Sequence, residues 1–258
     1  TGSLNVSGSG TSTIVGNVLS SGSSRISVGA DLTITGDLEN SSTASDLVIS
    51  GVNIGQMSTF NGTTLNVTGA LTNNNRFFVR DNSTVSANSS TNTSNGEISL
   101  QVGAVLSATN GLTNAGLLEG VGAVNGILTS SGTVAPGNSP GTLTVAGDVV
   151  FTGTNNFITE INGLTYSASG GDGSFDRLAV TGAAATFTAG GTITPVLRGI
   201  SGVTSDDFDP VIGDAFRVVT TANATGVQST GFSTVADPTS GMPTNTRFDV
   251  LYGGNYVD

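Results

Sequence analysis

One pattern recurs along the first part of this chain. Apolar and polar residues alternate for four or five positions, a glycine or asparagine follows, and a second short apolar stretch comes next. The pattern is clearest in four segments: LTITGDLENSS from Leu32, LNVTGALTNNN from Leu65, LSATNGLTNAG from Leu106 and LTVAGDVVFTG from Leu143. Alternation with period 2 is typical of a β-strand that turns one face toward a core. The recurrence predicts a fold built by repeating one strand-turn unit.

A single unit of this kind cannot bury its own apolar face. Stacked units can, because each strand pairs with the equivalent strand of the next coil about 4.8 Å away. The four segments start 33, 41 and 37 residues apart, which is roughly twice the ~20 residues of a β-solenoid coil. No long window shows a helical period. We therefore predict an all-β protein, a parallel β-solenoid (β-helix), with an antiparallel β-sandwich as the alternative.

Composition limits the core and the partners. Aromatic residues are 5% of the chain and tryptophan is absent, so we expect a core made mainly of Val, Leu, Ile and Ala. The formal net charge is −11, and phosphate backbones repel such a polyanion, so nucleic acid is not an expected partner. No stretch approaches the ~20 apolar residues of a membrane helix, so we expect no membrane insertion by this segment.

The chain contains no cysteine and no histidine, and all seven basic residues are arginine. Zinc binding by thiolate or imidazole is therefore excluded, and no His or Lys base is present to activate a serine. Absence of cysteine is typical of large exported bacterial surface proteins. We expect an extracellular, secreted structural or adhesive protein and not an enzyme. A carbohydrate-active β-helix enzyme is the alternative, because glycoside hydrolysis needs only two carboxylates on one cleft.

Two acidic segments are the candidates for a metal site. GGDGSFDRL at 170–178 is similar to the calcium nonapeptide G-G-x-G-x-D-x-U-x, but it is one residue out of register at Asp176 and occurs once. Carboxylate oxygens are ligands that calcium prefers. The weak calcium candidates are Asp172, Asp176, Asp206, Asp207 and Asp209. A solvated acidic loop is the competing interpretation, and we expect no cofactor and no required metal.

The segment APGNSPG at 135–141 interrupts the strand pattern. Pro136 and Pro140 fix φ and remove backbone donors, while Gly137 and Gly141 permit a tight reversal. This composition predicts a rigid turn with no site in it. It also marks a seam between solenoid repeats at 1–131 and a C-terminal β-region at 132–258, which either continues the solenoid or forms a distinct capping β-domain.

A series of motifs follows in a fixed order through the second half of the chain. The motifs are GTVAPGNSPGTLTVAGD at 132–148, FITEING at 157–163, FDRLAVTGAAATF at 175–187, GGTITPVL at 190–197, GDAFRVVTT at 213–221, GFSTV at 231–235 and RFDVLYGGNYVD at 247–258. Over about residues 116–258 the chain resembles the passenger segments of bacterial autotransporters and related β-strand-repeat surface proteins. The resemblance implies a parallel β-helix passenger at the cell surface, whose final coils stabilise the stem.

Both ends of the sequence look like uncapped strands. TGSLNVSGSG at the start resembles the repeat, and DVLYGGNYVD at the end is strand-like and carries no lysine. Open strand edges pair readily with other strands, so we expect end-to-end association with a second copy or with flanking coils of a longer chain. Surface glycans and host or cell-surface molecules are further candidate partners. Eight N-x-S/T sequons occur, at Asn5, Asn40, Asn61, Asn66, Asn82, Asn88, Asn92 and Asn223.

Overall fold

All regular secondary structure in the described residues is β-strand, as the alternating pattern predicts. The computed structural model describes residues 3–7, 10–23, 25–42, 47–49, 62–137, 140–165, 174–197, 208–228, 231–236 and 247–258. The strands are β1 (Ser3–Val6), β2 (Ser12–Ile14), β3 (Val18–Gly22), β4 (Arg25–Val28), β5 (Leu32–Ile34), β6 (Leu38–Ser42), β7 (Leu47–Ile49), β8 (Thr64–Asn73), β9 (Arg76–Val79), β10 (Thr84–Asn92), β11 (Glu97–Leu100), β12 (Val105–Ala108), β13 (Leu112–Asn114), β14 (Leu117–Gly120), β15 (Ala123–Asn125), β16 (Leu128–Ser130), β17 (Thr133–Pro136), β18 (Thr142–Val145), β19 (Val149–Phe151), β20 (Asn156–Ile161), β21 (Arg177–Val180), β22 (Phe187–Thr188), β23 (Thr192–Leu197), β24 (Val219–Thr221), β25 (Thr234–Val235) and β26 (Tyr256–Val257). A search of these ranges finds no helix with the length and apolar character needed to cross a membrane.

The chain divides into two compact units. Unit 1 comprises Thr1–Leu118 and Gly122–Leu128, and unit 2 comprises Glu119–Val121 and Thr129–Asp258.

Strands in unit 1 pair in parallel with strands about one repeat later in the chain. The first sheet runs in the order β1, β4, β7, β9, β11. In the second sheet β2 pairs with β5 and β3 with β6, and both β5 and β6 pair with the long strand β8. β8 pairs with β10, β10 pairs with β12 and β13, and β12 pairs with β15. Ser3 pairs with Arg25 and Arg76 with Glu97, intervals close to the ~20 residues of one solenoid coil. Because no strand pairs with its immediate neighbour in sequence, hairpins are absent from these described pairings.

An unbroken row of aliphatic side chains forms the core of unit 1. Leu32 pairs with Leu65, Leu65 with Val85, Val85 with Leu106, and Leu106 with Val124, and all five are at most 1% exposed. Leu32 and Leu65 thus lie on directly paired strands, whereas the sequence predicted one further strand between them. The interval from Leu65 to Leu106 does contain two steps, with Val85 between them.

Unit 2 repeats the parallel pairing, and every pair except β17 with β20 spans a longer interval. β17 pairs with β20, β20 with β23 and β23 with β25, and a second series joins β18, β21 and β24. Asn156 pairs with Thr192, and Thr192 pairs in turn with Thr234. The two partners of each pair stay in register although the intervening chain is longer than between the paired strands at the start of unit 1.

The C-terminal residues close one of these series with an antiparallel strand. β26 lies antiparallel along the edge of β24, with Val257 opposite Val219, and Val257 is fully buried. Leu251 and Asp258 exchange backbone hydrogen bonds of 3.0 Å in both directions. β26 therefore covers this edge of β24 with backbone pairing, and end-to-end association stays a prediction from the sequence.

Phenylalanine is concentrated in unit 2 and changes the nature of its core. Phe151, Phe157 and Phe187 are buried. The Phe151 ring packs against the other two, and all three contact Phe232, at centroid distances of 5.2–6.3 Å. Such ring pairs contribute beyond their buried area. The predicted core of small aliphatic residues is found in most of unit 1. The low aromatic content of the whole chain gave no indication that aromatic residues would cluster in unit 2.

Candidate functional site

The structure describes two of the five predicted calcium candidates, Asp176 and Asp209, and it places them in different environments. Asp209 is exposed, whereas Asp176 is 2% exposed. Asp172, Asp206 and Asp207 lie outside the described residues. A search of the described part of the chain finds no group of three or more carboxylates able to hold a metal ion.

The Asp176 carboxylate fastens the proline-glycine turn to the neighbouring strands. Oδ1 accepts a hydrogen bond from the backbone N–H of Gly141 at 2.8 Å, and Oδ2 accepts one from the N–H of Glu160 at 2.8 Å. Gly137 has φ = +105°, and a Cβ added there would lie 2.1 Å from Asp176 Oδ1. Only glycine combines this backbone angle with so close an approach. Gly137 and Gly141 thus lie against a buried carboxylate that sequence reasoning considered only as a calcium ligand, and residues 138 and 139 lie outside the described residues.

Burial dominates the ionisation of Asp176. Loss of solvent raises the pKa of its carboxyl from 3.8 to about 7, and the charge of nearby Glu160 adds to the rise, while the two backbone N–H donors oppose it. Both carboxylate oxygens already accept hydrogen bonds from the backbone. This geometry makes Asp176 a structural contact between segments distant in sequence.

Other aspartates repeat this role, which explains why the acidic residues are scattered along the sequence. Asp31 Oδ1 accepts from the N–H of Thr64 at 2.9 Å, and Asp37 Oδ1 from that of Ala70 at 2.8 Å. In unit 2, Asp148 Oδ1 accepts a hydrogen bond from the backbone N–H of Thr186 at 2.8 Å. Each bond joins residues 33 or 38 positions apart, so these carboxylates tie one repeat to the next.

A chain of buried asparagines runs through unit 1. Asn40, Asn73, Asn92 and Asn114 occupy equivalent positions of paired strands, and each is at most 1% exposed. The Nδ2 of each donates to the Oδ1 of the next at 2.8 Å. The Nδ2 atoms also donate to backbone carbonyls, such as that of Leu117 at 2.9 Å. We call these four residues the asparagine ladder.

Sequence reasoning assigned asparagine to the corners and missed this ladder. A signal was present: each asparagine stands two residues after a strand position that faces inward, as in LEN at 38–40 and LTN at 71–73. Period 2 places residues i and i+2 on the same face of a strand. The alternation that identified the apolar rows therefore also placed these amides in the interior.

The asparagine ladder also determines whether two of the eight sequons can be glycosylated. Asn40 and Asn92 are buried and use their amide nitrogens in the ladder, so neither can carry a glycan in the folded chain. The sequon asparagines at 5, 82 and 88 are exposed, and those at 66 and 223 are half-buried. Asn61 lies outside the described residues.

Unit 2 contains an open pocket of about 540 Å³. Its lining combines apolar and charged side chains: Leu164, Phe175, Arg177, Arg217, Thr220 and Asp258. Arg177 is 3% exposed, and its Nε donates to the backbone carbonyl of Arg217 at 3.1 Å. We call this cavity the Arg177 pocket.

Arg217 is held in a fixed orientation at the rim of the Arg177 pocket. Its Nε and Nη2 reach the two carboxylate oxygens of Asp258 at 2.9 and 3.2 Å, and its guanidinium lies 3.8 Å from the centroid of the Tyr256 ring. The hydrogen bond to Asp258 raises the pKa of Arg217 above its usual range. Two of the seven arginines of the chain thus line one pocket, and Asp258 is the acidic residue among its described lining.

Comparison of this chain with protein families, curated proteins and solved structures gives no match. The likeness to autotransporter passengers therefore stays a prediction from the sequence.

Proposed function

We propose that this chain is a parallel β-solenoid that serves as a structural or adhesive stem on a bacterial cell surface. The observation that supports the proposal best is the parallel pairing of strands with strands about one repeat later, in register. The aliphatic row and the asparagine ladder add support, because both join successive repeats of unit 1. Such a construction gives a stiff element with regular polar faces.

Export to the cell surface is supported by composition. The chain has no cysteine, and large exported bacterial proteins that cross an oxidising compartment avoid mispaired thiols in this way. Its outward rows are polar: Thr72, Thr91 and Thr113 occupy equivalent positions of paired strands and are half-buried or exposed. A regular hydroxyl-bearing face suits adhesion through extended contact.

Self-association would use the edge at β1. Among the described strands, β1 pairs only with β4, so its other edge can accept a flanking coil or a second copy. The edge of β24 is already paired with β26. A filament therefore cannot join through that edge, and for the homopolymer we propose a head-to-tail contact of β1 with β25, which ends the same sheet and among the described strands pairs only with β23.

Engineered disulfides test the proposed architecture, and the absence of cysteine makes the test clean. Thr91→Cys with Thr113→Cys joins two residues directly paired in parallel, about 4.8 Å apart, which a disulfide can span. We expect this pair to cross-link under mild oxidation without loss of stability. Thr91→Cys with Ser107→Cys is the control, because Ser107 pairs with Ser86, five residues before Thr91 on the same strand. Failure of the first pair to cross-link, or equal cross-linking of both, would overturn the proposed stacking.

Electron microscopy, sedimentation and polysaccharide digestion test the function. The purified 258-residue chain should bind cell-surface material without cleaving it, and any polymers should join through β1. Cleavage of a polysaccharide that is abolished by one Asp→Asn substitution would overturn the structural role in favour of the enzyme alternative.

A further inference from the structure

We propose that the Arg177 pocket binds a carboxylate-bearing sugar, a hexuronate unit of an acidic polysaccharide. The inference rests on the adhesive role proposed above and gives it a ligand class. It is derived from unit 2 alone and does not depend on how unit 1 is built.

The cations of the Arg177 pocket are arranged for a carboxylate. Asp258 engages Nε and Nη2 of Arg217, so Nη1 is without a hydrogen-bond partner among the described residues. Arginine presents its N–H groups in a planar fork that matches carboxylate oxygens. Arg177 lies beside it, with its Nε fixed on the Arg217 carbonyl at 3.1 Å. Two arginines and Asp258 thus line one pocket, which gives its lining a net charge of +1 in a chain whose net charge is −11.

The rest of the lining distinguishes a sugar from other anions. Phe175 and Leu164 supply an apolar wall, against which the C–H face of a pyranose ring can pack. Thr220 supplies a hydroxyl, and the Asp258 carboxylate has lone pairs beyond those used by Arg217. A fatty acid would satisfy the wall and the arginines but would leave these oxygens without donors. A sugar acid satisfies the wall, the cations and the oxygens together.

The volume of the Arg177 pocket is also suitable. About 540 Å³ falls within the ~300–1,000 Å³ typical of small-molecule sites. One or two sugar rings fit this space, and the open mouth allows a longer polymer to continue into solvent.

Titration with a matched pair of sugars tests the inference. D-galacturonate and D-galactose differ only in whether C6 is a carboxylate or an alcohol. We expect saturable binding of galacturonate, followed by calorimetry and by NMR shifts of residues around the pocket, and binding at least about tenfold weaker for galactose, since charge-assisted hydrogen bonds are lost. Trigalacturonate distinguishes a polymer site, which binds it more tightly, from a monosaccharide site.

Three variants locate the binding. Arg217→Gln should weaken galacturonate binding about tenfold or more. Ala215→Trp fills the pocket from an exposed lining position while keeping both partners of the Arg217–Asp258 pair, and should abolish binding in a chain that stays folded. Arg247→Gln is the charge-matched control, because Arg247 is exposed and pairs with Asp249 at 3.3 Å outside the pocket.

The results separate this inference from the proposed function. Equal binding of the two sugars, no binding by the wild-type chain, or binding unaffected by Ala215→Trp would overturn the inference. None of these results would bear on the Thr91–Thr113 cross-link, which tests the architecture in unit 1. Conversely, failure of that cross-link would not affect the sugar titrations, which test the Arg177 pocket independently.

Discussion

At the scale of single residues, polar side chains in this protein are used to join repeats. Asparagine amides do so in the interior of unit 1, and aspartate carboxylates do so at the strand ends by accepting backbone N–H groups. Hydrogen-bonded networks of this kind rigidify a structure, while a broken one leaves buried polar groups without partners, as Asn40 Oδ1 at the end of the ladder already is among the described residues. The polar composition of the chain is therefore part of its structural design.

Replacing the second residue of the asparagine ladder tests this role. Asn73→Ala removes the acceptor of Asn40 Nδ2 and the donor to Asn92 Oδ1. We expect a loss of roughly 3–5 kcal/mol in the free energy of unfolding, because several buried groups lose partners together. Urea unfolding followed by circular dichroism measures it.

Asn88→Ala is the matched control for the ladder. Asn88 also accepts from an asparagine, Asn110, at 3.0 Å, but on the exposed surface. Its removal should change stability by no more than about 0.5 kcal/mol. Equal losses in the two variants would show that burial does not strengthen the ladder.

Asp176 makes stability depend on pH. The pKa of Asp176 is about 7 in the folded chain against a usual 3.8, so the folded state holds this proton more tightly than the unfolded state does. The stabilisation by protonated Asp176 is fully present below pH ~3.8 and is lost as pH rises through 7. The stability of the wild type relative to Asp176→Asn should therefore fall across this window, by an amount on the order of a few kcal/mol.

NMR titration of the Asp176 carboxyl carbon provides the direct measurement. A midpoint near 7 is the expected result. A midpoint at or below about 4 would mean that the N–H groups of Gly141 and Glu160 outweigh burial, and the pH dependence of the variant pair would then reverse or vanish.

At the scale of elements, alternation predicted the strands well and their partners only in part. The apolar positions of LTITG from Leu32 and LNVTG from Leu65 identify the buried face, and the structure pairs these residues directly. The sequence could not place Val85 between Leu65 and Leu106, because the strand TVSAN is polar enough to escape the pattern. The Arg177 pocket was also unpredictable, since Arg177 and Arg217 are 40 residues apart and meet only through strand pairing.

Weakening the packing of strand β26 should expose the backbone of β24 to solvent. Val257→Ala deletes two methyl groups from a fully buried side chain opposite Val219, and should cost roughly 2 kcal/mol. The amide of Thr221, which donates to the carbonyl of Asn255 at 2.9 Å, should then exchange with solvent faster. Hydrogen exchange by NMR measures it.

Leu251→Ala provides the comparison for β26. Leu251 belongs to the same hairpin but is 62% exposed, so its truncation should leave Thr221 exchange unchanged. Similar acceleration in both variants would indicate that β26 does not protect the edge of β24.

At the scale of the whole molecule, the acidic residues give a large negative charge without assembling a metal site in the described part of the chain. The carboxylates at 31, 37, 148 and 176 are already engaged with backbone N–H groups of other repeats. Calcium would have to compete with these contacts for both carboxylate oxygens of Asp176 and for Oδ1 of the other three. Folding should therefore proceed without it.

Thermal unfolding with calcium and with chelator tests this independence. We expect the same midpoint in both conditions, because a ligand stabilises a protein only by binding its folded state. A fall of the midpoint in chelator would show that carboxylates such as Asp209 hold an ion, and Asp209→Asn should then reproduce the fall without chelator.

The unequal lengths of chain between paired residues have an evolutionary consequence. The interval is short between Ser3 and Arg25, longer between Leu32 and Leu65 and longest between Thr192 and Thr234, yet the pairing register survives in all three. A single-residue insertion inside a strand would move every following side chain of that strand to the opposite face, whereas one between strands leaves both registers intact. Lineages descended from this gene should accumulate length changes between strands such as β7 and β8, and preserve strand length and phase.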